Sequence, residues 1–517
     1  MSAGFEAFLA HAGRFTHVPV ARAVMADLET PVAALWKVRR GAWSFLLESV
    51  EGGETQGRYT LLGSEPHVVL TGRGSTLEVL KPATGDVVST PFQTRDGPLR
   101  AALGRYAGAA VAPGVGPAGA RVELPRLFGG LVGAITWDAA RAFETLPDRH
   151  PSGATPDFVL MEAGVVLVWD NVRHRATLTS VVAIPPESSR ADLQTLWARA
   201  LAALDEVATR LEGPLPALPS HAAAASEAVE TSVQDSEFEA LVREAKGWIG
   251  AGDIIQVVLS RRFSQPRGDL HPFSVYRSLR ALNPSPWMFY LELGGTTLVG
   301  ASPELLVRVT PRPDGGRDAE VRPIAGTRRR GHTEAEDLAL ATELAADPKE
   351  IAEHVMLVDL GRNDVGRLAE VGSVRVEAQM VIERYSHVMH LVSHVRGALR
   401  PEVTPADVVA AAFPAGTLSG APKIRAMALI DALEPDRRGF YGGAVGTVSP
   451  DGSVDLAIAI RTLVADADTV SVQAGAGVVW DSDPASEAAE TRAKASAVLR
   501  AVALARETFA RTSEGDA

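Results

Sequence analysis

At 517 residues, 46% hydrophobic and 22% charged, the chain is long enough for two or more ordinary domains and has the composition of a soluble globular protein. The absence of cysteine excludes disulfides, thiolate metal sites and a cysteine nucleophile. A net charge of −12 without a basic face argues against a nucleic-acid partner. The N-terminal MSAGFEAFLAHAGRF lacks a basic-then-apolar leader pattern and no stretch reaches the length of a membrane span, so a cytoplasmic enzyme or binding protein is the expectation.

From about residue 20 to 185, short β-branched and aromatic runs such as WSFLLES, RYTLLG, HVVLTG and FVLMEAGVVLVWD alternate with Gly and Pro, which predicts an antiparallel sheet. Leu193, Leu196, Trp197, Leu201, Leu204, Val207 and Leu211 follow helical spacing, and the Pro- and Ala-rich stretch after Gly213 has little to pack. This divides the chain into an N-terminal domain over 1–212, a linker over 213–234, a second domain over 235–505 and a frayed end over 506–517. The second domain opens on an S-x-x-E cap, Ser236 and Glu239, followed by the strand IIQVVLS with the polar Gln256 inside it. Its later strands (FYLEL, TLVGAS, DLAIAIRTLV, TVSVQAG) intermingle with helices, so the expected class is α+β, a layered β/α sandwich of antiparallel sheets with flanking helices. No internal repeat is legible.

Chemistry concentrates in Ser471–Lys494, read as a strand, a loop cornered by Gly475 and Gly477, and a helix whose Glu487, Glu490 and Lys494 share one face. Glu350 and Glu353 repeat the E-x-x-E spacing after another Asp-Pro helix start. Two such faces can build an oxygen-lined cation site, with the glycine loop holding an anion against it; either pair alone reads more readily as a solvated helix face. Rossmann, phosphate-loop and H-E-x-x-H zinc patterns all fail. Arg328, Arg329 and Arg330 form either a carboxylate clamp or a solvated turn. Arg461, inside the apolar AIAIRTLV, needs an anion, supplied by a ligand or by an internal carboxylate. Tyr441 offers a hydroxyl beside GGAVG, or is simply a core tyrosine. His387 and His390 share a face in a helix and oppose each other in a strand. Glu304 follows a strand end at Ser302-Pro303, where a carboxyl group can face a cleft.

Together, PIAGTRRRG, DPKEIAEHVMLVDLGRNDVGR, RYSHVMHLVSHVRG, FPAGTLSGAPKIRAMALIDALEP, RRGFYGGAVG and VQAGAGVVWDSDPASEAAETRAK resemble the chorismate-binding domain of the anthranilate synthase component I family over about 235–500. SFLLESVEGGETQGRYTLLG and GGLVGAITWDAARAFETLP resemble its N-terminal part. The resemblance implies conversion of chorismate and ammonia to anthranilate and pyruvate. Glu353 and Glu490 would ligate Mg²⁺, and Glu350 and Glu487 would assist through water. Gly326, Thr327, Tyr441, Arg461 and the backbone of Gly475, Ala476 and Gly477 would hold substrate oxygens, with Glu304 and His390 transferring protons.

Two substitutions separate the branches of the family. Ala325 stands where aminodeoxychorismate synthases carry a nucleophilic lysine, and Gln256 where water-using relatives carry a lysine base, so ammonia is the expected nucleophile. Without a cysteine the chain cannot release ammonia from glutamine, which implies a separate glutamine amidotransferase subunit. The L-L-E-S motif ending at Ser49, with Pro286, Trp287 and Met288 of NPSPWM, implies feedback inhibition by L-tryptophan, although Trp287 and Ala134 replace the tyrosines usual there. The alternatives are an aminodeoxychorismate synthase lacking its lysine, or a non-catalytic sensor of tryptophan and a divalent cation.

Overall fold

The computed structural model describes residues 2–49, 58–150, 153, 155–173, 175–222, 228–385 and 388–510; His387 lies outside them. Among the described residues, two predominantly antiparallel sheets of 14 and 12 strands stack face to face, with helices on their outer sides, which is the α+β sandwich that the alternating patterns predict. The strand Val165–Asp170 is buried along its whole length because both its faces are covered. Between the sheets, Phe45, Leu61 and Leu291 of one pack with Val132, Val159 and Val445 of the other. On the outer face of the larger sheet a second core joins Leu178, Tyr290 and Val472 to the helices Arg190–Glu212, Pro272–Leu282 and Pro484–Thr508. No described helix is long and apolar enough to cross a membrane.

Both sheets run across the 213–234 segment. In the larger one Trp287–Leu293 pairs with Trp43–Glu48, and in the smaller one Ala444–Val448 pairs with Leu131–Ile135. Outward from each seam the strands recur in the same order. Thr296–Ser302, Thr462–Ala465, Thr469–Val478 and Gln256–Pro266 lie on one side of the first seam as Tyr59–Ser64, Val165–Asp170, Arg175–Ala183 and His17–Val24 lie on the other. The chain is therefore built on one frame used twice, a repeat the sequence does not show because what recurs is the order of the strands in the sheets.

Local differences from the sequence reading have simple causes. The helix Asp235–Gly250 starts two residues earlier than expected, with Gln234 at its N-cap and the Glu237 carboxylate accepting from the Gln234 backbone N–H, in place of Ser236 with Glu239. The last helix continues through Thr508, since Ala501, Val502 and Ala505 bury against the sheet. DLAIAIRTLV is two strands: Val454–Ile458 belongs to the smaller sheet and Thr462–Ala465 to the larger, and the chain changes sheet through Arg461, whose φ is +50°.

Candidate active site

The crossing at Arg461 opens one wall of a cavity of about 570 Å³. Two strands of the larger sheet, Gln256–Pro266 and Thr469–Val478, form its floor, and the helices Pro348–Gly366 and Pro484–Thr508 form its rim. Glu304, Gly326, Thr327, Glu350, Glu353, His390, Tyr441, Arg461, Gly475, Gly477, Glu487 and Glu490, scattered along the sequence, all line it.

The glycines act by permitting close approach. Gly475 and Gly477 lie inside a strand, which corrects the loop read from the sequence. A Cβ on Gly475 would meet the Tyr441 hydroxyl at 2.7 Å, and one on Gly477 the Gln256 side-chain amide at 3.0 Å. The strand Thr462–Ala465 stops pairing at Val472, so the backbone edge beyond it is open; the Gly475 carbonyl there accepts from Lys494 Nζ at 3.1 Å. Ala476, on the alternate face, is fully buried and does not reach the cavity. Gly326 sits at φ +63° in a register shift between Ala325 and Thr327, where a side chain would meet Leu344 and Glu350.

That bulge aims the Gly326 carbonyl at His390, on the strand Val388–Ala398: Nδ1 lies 3.1 Å from this oxygen and 3.1 Å from Thr327 Oγ1. Because a carbonyl only accepts, Nδ1 carries the proton and Nε2 is the basic nitrogen. Burial, reinforced by the charge of Arg461, holds the His390 pKa below its ordinary value against the pull of the Gly326 bond. Burial pushes the Glu304 carboxyl up to about 7, although the bond it accepts from Thr417 Oγ1 (2.8 Å) and the charge of Lys494 pull the other way. Near neutrality the cavity therefore holds a carboxyl group that can still carry its proton beside a neutral imidazole.

Arg461 donates to the Lys494 carbonyl at 3.2 Å, and among the described residues no carboxylate stands within ion-pair distance of it; burial depresses its pKa. It is an uncompensated cation facing the cavity, which favours a ligand over the internal carboxylate. The tri-arginine turn is the opposite case. Arg328 bonds Glu343, Asp347 and Glu350, Arg329 bonds Glu336, and Arg330 bonds Asp337, so these side chains tie the strand Ile324–Arg329 to its neighbouring helices.

The carboxylates on the two rim helices are electrostatic neighbours. Burial and then the like charges of Glu350 and Glu490 raise the Glu353 pKa, and burial and Glu490 raise that of Glu487. Glu350 is paired with Arg328 and Glu490 with Lys494 (2.6 Å), and among the described residues no three acidic or histidine side chains form a ready-made metal shell. A divalent cation fits this donor set by relieving the crowding around Glu353 and Glu487, with Glu490 exchanging Lys494 for it. The sequence reading missed Thr417 and Lys349, which also line the cavity; the only available signal for Thr417 was its place in GTLSGAPK.

A second cavity, of about 380 Å³, lies between the sheets and is lined by Ser49, Trp287 and Met288 with Arg126, Arg308 and Asp455. Ser49 donates to the Pro286 carbonyl at 2.7 Å, so Pro286 acts as an anchor and not as lining. The Trp287 indole lies 3.4 Å from Asp455, which Arg308 (2.8 Å) and Arg126 (3.3 Å) keep below the usual carboxylate range despite its burial.

Residues 102–500 match the family described as chorismate binding enzyme. The chain is 44% identical over 490 residues to anthranilate synthase component 1 of Thermus thermophilus, spanning 94% of this chain and 98% of that one. It is 43% identical to the Synechocystis protein of the same name, spanning 97% and 99%. A crystal structure of anthranilate synthase component I from Streptococcus pneumoniae superposes with a TM-score of 0.71 at 33% identity, over 92% of this chain and 99% of that one. The isochorismate synthase MenF of Escherichia coli shares the fold, with a TM-score of 0.65 at 18% identity, over 96% of this chain and 98% of that one.

Proposed function

From the premise that the chain belongs to the chorismate-binding enzymes, and within them to the anthranilate synthase component I family, we propose that it converts chorismate and ammonia to anthranilate, pyruvate and water. The observation that carries this reading is the convergence of Glu304, His390, the unpaired Arg461 and both E-x-x-E faces on one cavity. Arg461 and Tyr441, a hydroxyl kept protonated by burial, hold anionic and hydroxyl oxygens of the substrate. Glu353 and Glu490 would hold Mg²⁺ with Glu350 and Glu487 behind them, and a bound ion would neutralise the ring carboxylate and draw electron density from the ring.

Ammonia bonds to the ring carbon beside the carboxylate-bearing one, the hydroxyl departs with the proton of Glu304 as water, and the new ammonium group sheds a proton to become the amine. His390 Nε2 then takes the proton from the aminated carbon as the enolpyruvyl C–O bond breaks. The leaving enolate takes a proton at its methylene carbon to give pyruvate, and the ring becomes aromatic. Ala325 and Gln256 both face the cavity without an amine, so neither supplies a lysine nucleophile or a base for water.

The same reading assigns ammonia release from glutamine to a separate amidotransferase subunit, the cavity between the sheets to L-tryptophan as feedback inhibitor, and the enzyme to the cytoplasm. With chorismate, Mg²⁺ and ammonium, the purified chain is expected to form fluorescent anthranilate and pyruvate in equal amounts, with glutamine unable to replace ammonium. An aminated product that retains its enolpyruvyl group would assign the chain to the aminodeoxychorismate branch. Tryptophan binding without turnover would leave only the sensor.

A further inference from the structure

On the helix Pro484–Thr508, Lys494 follows Glu490 by one turn, and its Nζ donates to Glu490 Oε1 at 2.6 Å. A pair of this kind on a plain solvated helix face contributes little. Lys494 differs because it also reaches the cavity floor, where the Gly475 carbonyl, on the open edge of the strand Thr469–Val478, accepts from Nζ at 3.1 Å. The ammonium group is thereby held between floor and rim, on a carboxylate assigned to the ion. Its charge reaches further: burial raises the pKa of Glu304 and of Glu353, and Lys494 opposes that rise in both. Lys349 offers a contrast. Exposed on the opposite rim, it acts on Glu353 and Glu487 through space and bonds neither.

We infer that Lys494 competes with the divalent ion for Glu490, and that this competition makes the binding of metal and of chorismate mutually reinforcing. The inference rests on the reading of Glu353 and Glu490 as the pair that holds the ion. A dication seated on Glu490 repels an ammonium group 2.6 Å from its Oε1, so entry of the ion loosens that bond and leaves Nζ on the Gly475 carbonyl. Three positive groups then face one space: the ion, Lys494 and Arg461, whose guanidinium bonds the Lys494 carbonyl at 3.2 Å. An uncompensated cation in a partly dry site is costly, and the ion alone therefore binds at the expense of the Lys494 ion pair. Chorismate, with two carboxylates, restores the balance and gives Lys494 a new anion to face. By linkage, the factor that chorismate adds to metal affinity is the factor that the metal adds to chorismate affinity.

The test reads Mn²⁺ binding to the purified full-length chain by electron paramagnetic resonance, in ammonium-free buffer so that no turnover is needed. The wild-type chain is expected to bind Mn²⁺ about tenfold more tightly when chorismate is saturating. Lys494→Met is expected to bind Mn²⁺ alone about tenfold more tightly than wild type, with chorismate adding about twofold or less. Lys494→Gln keeps a donor for the Gly475 carbonyl without the charge; it is expected to behave alike, and it stands in if the methionine variant does not fold. Lys349→Met is expected to stay within about twofold of wild type, because that lysine takes no ligand oxygen. Unchanged or weaker Mn²⁺ binding in the folded Lys494 variants, or equal tightening in the Lys349 variant, overturns the inference. Glu490→Gln separates the two layers. Mn²⁺ binding that survives it undiminished overturns the metal assignment itself, whereas binding lost there without tightening in the Lys494 variants overturns only the competition.

Discussion

The two halves of the molecule use one strand order, yet they treat the same two sheet crossings in opposite ways. In the first half the crossing after Tyr59–Ser64 carries Glu65, and that carboxylate is half exposed and tied to Arg210 and so to the helix Arg190–Glu212. In the second half the crossing after Thr296–Ser302 carries Glu304, turned into the cavity with a threonine for its partner. The second crossing is Ala163-Gly164 in the first half, where a Cβ on Gly164 would meet the Glu65 carbonyl at 3.0 Å. In the second half it is the segment that ends in Arg461, a guanidinium held beside a cavity without a counterion.

Residues 322–443 account for the difference. They stand where the first half has residues 82–130, and they supply the strands Ile324–Arg329 and Val388–Ala398 and the helix Pro348–Gly366 that cover the cleft. A frame alone gives two crossings; it becomes a site only where an added layer removes water from the charges placed there.

The sharpest way to break this comparison is to remove the same group from both crossings. Glu304→Gln is expected to lower kcat with ammonium about a thousandfold, within the range for losing a general acid, while Glu65→Gln stays within about twofold. Arg461→Ala is expected to raise the chorismate KM by about tenfold to a hundredfold, because the anion loses a charge-assisted bond in a dry site. Equal losses from both glutamate variants, measured by initial rates on folded protein, would mean that the two crossings are not functionally distinct.

The pH profile sharpens the same contrast. Glu304 must be protonated to donate, so kcat falls as pH rises through about 7; His390 must be neutral to accept, so kcat falls again below its depressed pKa, under the usual imidazole value. Thr417→Val removes a bond that favours the charged form of Glu304, and the alkaline limb of kcat is therefore expected to move to higher pH. A limb that moves to lower pH would show that Thr417 does not act through Glu304. The smallest expected effect is in the cavity between the sheets: Trp287→Phe gives up one long bond to Asp455, and tryptophan affinity by calorimetry should change by about threefold or less.

Much of this architecture was legible in the sequence because it rests on local periodicity. The apolar stripe over Leu193–Leu211 and the paired E-x-x-E faces needed only helical spacing, and all three helices form where that spacing places them. What was not legible depends on long-range pairing. AIAIRTLV is apolar on both sides of Arg461, so nothing local shows that the chain changes sheet there. Gly475 and Gly477 suggest a turn, but glycine is needed inside a strand because Tyr441 and Gln256 lie against it. Whether His390 belonged to a helix or a strand stayed open until its pairing with Thr327 placed it in a strand. Thr417 gained its role only from the fold, which brings it to Glu304.

The claim on which the rest depends is that Glu353 and Glu490, from helices far apart in the chain, share one ion that grips the substrate. Crystals grown with chorismate and with Mn²⁺ in place of Mg²⁺ test it directly through anomalous scattering. One Mn²⁺ bonded to Glu353, Glu490 and the ring carboxylate is the expected result. Fully bound substrate with no metal between those two side chains would contradict it.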